Sequence, residues 1–253
     1  MAKIIAVANQ KGGVGKTTTA INVSASLAAA EKRVLLLDAD PQGNSTSGTG
    51  VQRDALSLSL YDYFTGEAEV KDIVVPTALR FLSVAPSKVE LFGAEIELVG
   101  REGRETLLKE GLAKVAHDYD YMIIDCPPAL GLMTVNALTA CESVLIPVQC
   151  EYYALEGLSQ LLGTIELVRA SLNPGLKIEG ILLTMSDQRN NLSRQVEDDI
   201  RSHFGDMVYR TVIPRNVSLS EAPSHGKPII TYDIRSRGAQ SYLSLAREVL
   251  EHV

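Results

Sequence analysis

Gln10-Lys11-Gly12-Gly13-Val14-Gly15-Lys16-Thr17-Thr18 decides the fold of this chain. An apolar run, Lys3-Ile4-Ile5-Ala6-Val7-Ala8, leads into it, and an alanine-rich stretch with helical character, Thr18 to Ala30, leaves it. A glycine-rich loop between strand and helix lets successive backbone N–H groups converge on phosphate oxygens with no Cβ in the way. The helix then aims its positive end at the same anion. Lys16 supplies the charge for the β- and γ-phosphates and Thr17 a hydroxyl for Mg²⁺, with Gly12, Gly13, Val14, Gly15 and Thr18 completing the cradle. The strict pattern wants glycine where Gln10 stands, so the match is to a deviant form. Lys11 is a second lysine where the ordinary loop has none. Since Lys16 already holds the charge position, Lys11 is either a solvated lysine attracted by its own nucleotide or a group with a task elsewhere.

Working outward, short apolar runs alternate with helical patterns. Strands are expected at Lys3–Ala8, Arg33–Asp38, Leu79–Ala85, Tyr121–Asp125, Ser143–Val148, Ile178–Thr184 and Val208–Val212. Helices are expected near Leu58–Phe64, Val89–Val99, Glu105–His117, Leu132–Thr139, Leu155–Ser171, Leu192–Phe204 and Gln240–Glu251. Such alternation predicts an α/β fold, a mostly parallel twisted sheet flanked by helices on both faces, with right-handed crossovers. No linker, repeat or charge block divides residues 1–253, which read as one P-loop domain.

Composition narrows the class. Tryptophan is absent and aromatics make up only 5%, as suits helices packed on a parallel sheet rich in aliphatic residues. Cys126, Cys141 and Cys150 have no metal-ligand spacing and cannot all pair, which predicts reduced thiols and a cytoplasmic protein. The chain opens on a core strand, so no signal peptide is expected. No apolar stretch approaches a membrane span. A net charge of −7 argues against a generally basic nucleic-acid binder, so any DNA surface has to be a local patch.

Two acidic strand ends complete the nucleotide site. Leu35-Leu36-Leu37-Asp38-Ala39-Asp40-Pro41-Gln42-Gly43-Asn44 puts carboxylates where the second strand leaves the sheet, and Tyr121-Met122-Ile123-Ile124-Asp125-Cys126-Pro127-Pro128 repeats the arrangement. Ligands of open α/β sheets sit beyond the carboxyl ends of the strands, beside the phosphate loop. Asp125 fits the metal-side carboxylate that holds Mg²⁺, usually through water. Either aspartate alone could be an ordinary strand-end residue or a helix cap.

Lys11 to Thr18, Asp38 to Asn44 and Asp125 to Pro128 together resemble the ParA family of chromosome- and plasmid-partitioning ATPases. Pro147 to Gly157, Ile213-Pro214-Arg215-Asn216-Val217 and Glu221 to Pro228 extend the likeness over the whole chain, nearest to the chromosomal branch called Soj. The resemblance implies that ATP with Mg²⁺ supports a sandwich homodimer in which Lys11 reaches the facing subunit's phosphates. It also implies that Asp40 orients the attacking water, that Thr17, Asp38 and Asp125 order the metal, and that Pro214 and Asn216 contact adenine. Lys11, Lys16 and Asp40 would then form the catalytic set. Independently, no Asn-Lys-x-Asp or Thr-Lys-x-Asp segment of the kind that reads guanine is found.

The same resemblance implies nonspecific DNA binding by the ATP dimer, release on hydrolysis stimulated by a ParB-type centromere-binding protein, and nucleoid association without a membrane. Phosphate contacts need only a few cations on one face, and a symmetric dimer doubles them. The candidates are Arg189, Arg215, Lys227, Arg235 and Arg237. Ser218 stands where close relatives often carry a basic residue. The alternatives are a MinD-like membrane switch, a metabolic ligase or iron–sulfur reductase on the same fold, and a sequence-specific regulator. The first would end in a basic amphipathic helix, unlike the acidic Ser241–Val253; the second would need cysteines placed to share a cluster. The third would need an added N-terminal domain.

Overall fold

A computed structural model describes residues 2–151 and 154–251. Tyr152 and Tyr153 of the family-like segment, and His252 and Val253 of the acidic end, lie outside the described residues.

The strands are β1 (Lys3–Val7), β2 (Val34–Asp38), β3 (Val75–Pro76), β4 (Leu82–Ala85), β5 (Tyr121–Asp125), β6 (Ser143–Gln149), β7 (Lys177–Ser186) and β8 (Val208–Pro214). They form one sheet in the order β3-β4-β2-β5-β1-β6-β7-β8, parallel except for the antiparallel edge pair β3–β4. All five residues of β2 and of β5 are buried, because a parallel strand covered on both faces has no solvent side to alternate toward. The pleat still sorts their side chains. Leu35 and Leu37 enter one hydrophobic cluster, Val34 and Leu36 the other.

Those clusters define the two helical layers. The helices are α1 (Lys16–Ala29), α2 (Asn44–Gly48), α3 (Leu60–Thr65), α4 (Val70–Ile73), α5 (Leu91–Glu97), α6 (Leu107–Val115), α7 (Leu132–Ala140), α8 (Ala154–Ser171), α9 (Asn191–Phe204), α10 (Val217–Glu221), α11 (Ile229–Tyr232) and α12 (Arg237–Glu251). Apolar residues of α3 to α9 fill one face of the sheet; those of α1, α10, α11 and α12 fill the other.

The expected alternation is borne out, with local corrections. The strand expected from Leu79 starts at Leu82, and a two-residue antiparallel edge precedes it. The last helix starts at Arg237 instead of Gln240. The short helices α2, α4, α10 and α11 carry too few residues for apolar periodicity to register.

β1 lies between β5 and β6, and the chain leaves it through α1 to reach β2 on the far side of β5. Its carboxyl end therefore faces the crevice where ligands of such sheets bind. Register across the sheet sets Val7 opposite Asp125 and Asp125 opposite Asp38. Both acidic strand ends are thereby fixed beside the loop after β1.

Candidate nucleotide site

The loop after β1 is shaped by its glycines. Gly13 and Gly15 have φ of 76° and 87°, a left-handed conformation that strains residues bearing a Cβ. Gly15 is also the residue from which α1 starts, and no side chain caps that start. The first N–H groups of the helix are left for an anion. Behind the loop, the Thr184 hydroxyl donates to the Val14 carbonyl at 2.9 Å, tying the cradle to β7.

Two clefts meet on this loop. One, of ≈ 370 Å³, is lined by Gly12, Gly13, Lys16, Thr17, Asp40 and Pro128, among others. The other, of ≈ 260 Å³, is lined by Pro214, Arg215, Asn216, Leu219, Pro223 and Tyr242, among others. Gly15, Thr18 and Met185 border both. The polar cleft has the groups for a polyphosphate, and the second, walled by proline and leucine, suits the flat apolar face of a nucleoside. Asn216 caps α10 by accepting from the Leu219 N–H at 3.1 Å, which holds its side chain beside that wall.

The two lysines have parted company. Lys16 is buried, and its amine donates to the Lys11 carbonyl at 3.1 Å. Burial lowers its pKa, while Asp125, Cys126 and Asp40 act in the opposite direction. The Lys11 amine instead pairs with Glu151 at 3.3 Å, with 33% and 50% of the two side chains exposed. An ion pair so open is worth ~0–1 kcal/mol and is readily exchanged for a better anion.

Behind the polar cleft lie three carboxylates with different surroundings. Asp38 is sealed from solvent and accepts from the Thr46 N–H (2.7 Å), the Thr46 hydroxyl (2.6 Å) and the Asp40 N–H (3.3 Å). It pins the segment carrying Asp40, and, like Asp125, it lies behind the residues that line the cleft. Asp40 does line it, with Oδ1 accepting from the Gln42 N–H at 2.9 Å. Asp125 accepts the Ser45 hydroxyl at 2.6 Å on Oδ2, while its buried Oδ1 has no hydrogen-bond partner. Burial first, and then repulsion, raises the pKa of both Asp38 and Asp125; for Asp125 the repelling charge is chiefly Asp38. A buried, unpartnered carboxylate oxygen beside a like charge is the donor a divalent cation satisfies. The residues present fit Mg²⁺.

Ser45, Thr46 and Glu151 carry this geometry, yet their sequence signal is faint. Ser45 and Thr46 sit just past the Asp-x-Asp stretch, but only the fold turns their hydroxyls back on Asp125 and Asp38.

The cysteines remain thiols. All three are buried, and burial pushes Cys141 up to about 12 and Cys150 up to about 11. Among the described residues no cluster of His, Cys, Asp or Glu could hold a metal by itself, and no helix is long and apolar enough to cross a membrane.

The five basic candidates are all exposed, but they are not equivalent. The Arg189 guanidinium holds both oxygens of Asp187, at 3.0 and 3.1 Å. Among the described residues Arg215, Lys227, Arg235 and Arg237 have no ion pair. Arg215 sits beside the Arg189 loop, its N–H donating to the Ser186 carbonyl at 3.0 Å. Gly238 is so close to α10 that an added Cβ would lie 2.6 Å from Leu219 Cγ and 3.2 Å from Asn216 Oδ1, which brings Arg237 to the same edge. Lys227 stands apart, next to Gly226 where it packs on Gly50.

A mostly parallel sheet, a glycine cradle with an embedded lysine and paired acidic strand ends define a P-loop ATPase of the deviant-loop type. The AAA_31 family, described as an AAA domain, matches residues 2–178. Sporulation initiation inhibitor protein Soj of Bacillus subtilis is 61% identical over 98% of this chain and 98% of its own length. The chain belongs to the ParA/Soj family of chromosome-partitioning ATPases. Among solved structures, a Mycobacterium smegmatis protein described as cobyrinic acid a,c-diamide synthase, with bound ATP analogue and magnesium, is 39% identical. It superposes with a TM-score of 0.87 over 100% of this chain and 96% of that one. The cell-division ATPase MinD of Pyrococcus furiosus is 26% identical with a TM-score of 0.82 over the full length of both chains.

Proposed function

We propose that the protein is an ATP-driven DNA-segregation switch whose on-state is a homodimer. ATP occupies the two clefts, its triphosphate on the glycine cradle and Lys16, its adenosine against Pro214 and Asn216. Thr17 and Asp125 hold Mg²⁺, which when bound neutralises phosphate charge. Asp38 keeps the Asp40 segment in place, and Asp40 orients the attacking water. Phosphoryl transfer needs little from a protein beyond positioning and charge compensation, so this set is sufficient.

The observation that carries the reading is the Lys11 amine, paired among the described residues only with a half-exposed Glu151. A cation held so loosely beside a phosphate site is available to the phosphates of a second copy. Dimerisation would then follow nucleotide occupancy, and hydrolysis would dissolve the dimer. The exposed cations near α10 and α12 would be presented twice, holding DNA through its backbone. A ParB-type partner would trigger hydrolysis and release, and the protein would be cytoplasmic and nucleoid-associated.

The test is retention of random-sequence duplexes by the full chain with Mg-ATP, with Mg-ADP and without nucleotide. Retention with Mg-ATP alone, indifferent to sequence and falling steeply with salt, is the expected result. Equal retention with ADP or without nucleotide would contradict the switch.

A further inference from the structure

β7 carries an irregularity at its carboxyl end. Its register against β8 shifts between Leu183 and Ser186, and Met185 between them has a φ of 52°. In that region the Cβ of an L-residue crowds its own backbone, at a cost on the order of 1 kcal/mol. Glycine would avoid the cost altogether. Strain of this kind persists only where the surroundings hold it, and it collects at ligand sites.

Here the strained residue stands where the two clefts meet. Leu182 and Leu183 are buried in the two opposite clusters, as strand alternation requires. Met185, by contrast, borders both the phosphate cleft and the proline-walled cleft. Its Cε lies 3.9 Å from where a Cβ on Gly15 would be, so the thioether rests over the start of α1. Across the second cleft it faces the segment of Pro214, Asn216 and Leu219.

We infer that Met185 is a nucleoside-binding residue: its thioether forms the wall against which the ribose and the inner face of the base pack, opposite Pro214. The inference rests on the ATP reading above and adds a contact to it. A methionine suits this place because its polarizable sulfur packs well on aromatic faces and its unbranched stem adapts to them. A β-branched residue could not adopt this backbone without greater strain. The left-handed turn sets the side chain on the cleft, and nucleotide binding gains from strain already present in the free protein.

Calorimetric titration of the full chain with ATP, ADP and inorganic tripolyphosphate tests this, comparing wild type, Met185→Gly and Met185→Leu. Met185→Gly should melt no lower than wild type without nucleotide, since glycine relieves the backbone. Its affinity for ATP and ADP should fall about ten-fold, the scale expected for one buried methionine contact. Its affinity for tripolyphosphate, which has no nucleoside, should be unchanged, and Met185→Leu should keep most of the ATP affinity. Wild-type binding of ATP and ADP by Met185→Gly would overturn the inference. So would an equal loss for tripolyphosphate, which would make Met185 a support of the loop. A wild-type chain that takes tripolyphosphate but no adenine nucleotide would instead sink the ATP reading itself.

Discussion

Asp125 shows how a single residue can be unfavourable in the free protein and necessary in the bound one. Its Oδ1 is buried without a partner, and Asp38 lies directly across the strand pair. Burial and that neighbour raise its pKa above the value it has unfolded. A carboxylate with a raised folded pKa favours the folded state fully only below its unfolded pKa, about 4, and that advantage is lost as pH rises through the folded value. Asp125→Asn keeps an acceptor for Ser45 and cannot ionise in either state. At neutral pH and without nucleotide it should therefore melt higher than wild type, by about 2–4 °C for each kcal/mol of that ionisation penalty removed. The gap should close as pH falls toward 4, and the variant should lose the added stability that Mg-ATP gives wild type. A lower melting temperature for Asp125→Asn across the whole range would mean that the pair is not strained. Both aspartates were legible in the sequence because each ends a continuous apolar run. The hydroxyls that answer them were not, since Ser45 and Thr46 lie in a five-residue helix with no periodicity to read.

Among elements, α12 bears on the membrane reading that the sequence left open. Its apolar residues Tyr242, Leu245 and Val249 are buried against the face that also packs α1. Glu248 anchors it by accepting from the N–H groups of Arg210 (2.9 Å) and Thr211 (2.8 Å). The described part of this helix is a packed element, with no free apolar face to enter lipid. At its start Arg235 and Arg237 are exposed, Arg237 next to the Gly238 contact on α10. Arg189, one of the five candidates on sequence alone, has its charge answered by Asp187 two residues away, and no pattern in the sequence announces that fork. Removing Arg235 and Arg237 together should weaken ATP-dependent DNA binding for all sequences alike and flatten the salt slope by about two released counterions per protomer. Arg189→Ala should change the slope less, because its guanidinium must first leave Asp187. A larger effect for Arg189 in the same salt titration would move the DNA face to the β7–α9 loop.

For the whole molecule, the fold was legible because its strands are continuous apolar runs and its loop motif fixes strand and helix on either side. The strained Met185 was not, since a left-handed residue inside an apolar strand leaves no mark on composition. Nor was the antiparallel edge β3, whose two residues are too short for any pattern. In the proposed switch, ATP would join two copies because Lys11 would cross to the other's phosphates. Lys16 holds the charge in its own cradle, so Lys11→Ala should still bind nucleotide, whereas Lys16→Ala should not. Asp40→Ala should bind Mg-ATP, fail to hydrolyse it and accumulate as the dimer. Sedimentation velocity of wild type, Lys11→Ala and Asp40→Ala, each with Mg-ATP and with Mg-ADP, reads all of this at once. Wild type and Asp40→Ala are expected to be dimers with Mg-ATP and monomers with Mg-ADP, and Lys11→Ala a monomer even when saturated with Mg-ATP. A Lys11→Ala chain that binds nucleotide and sediments as a dimer would contradict the proposed switch.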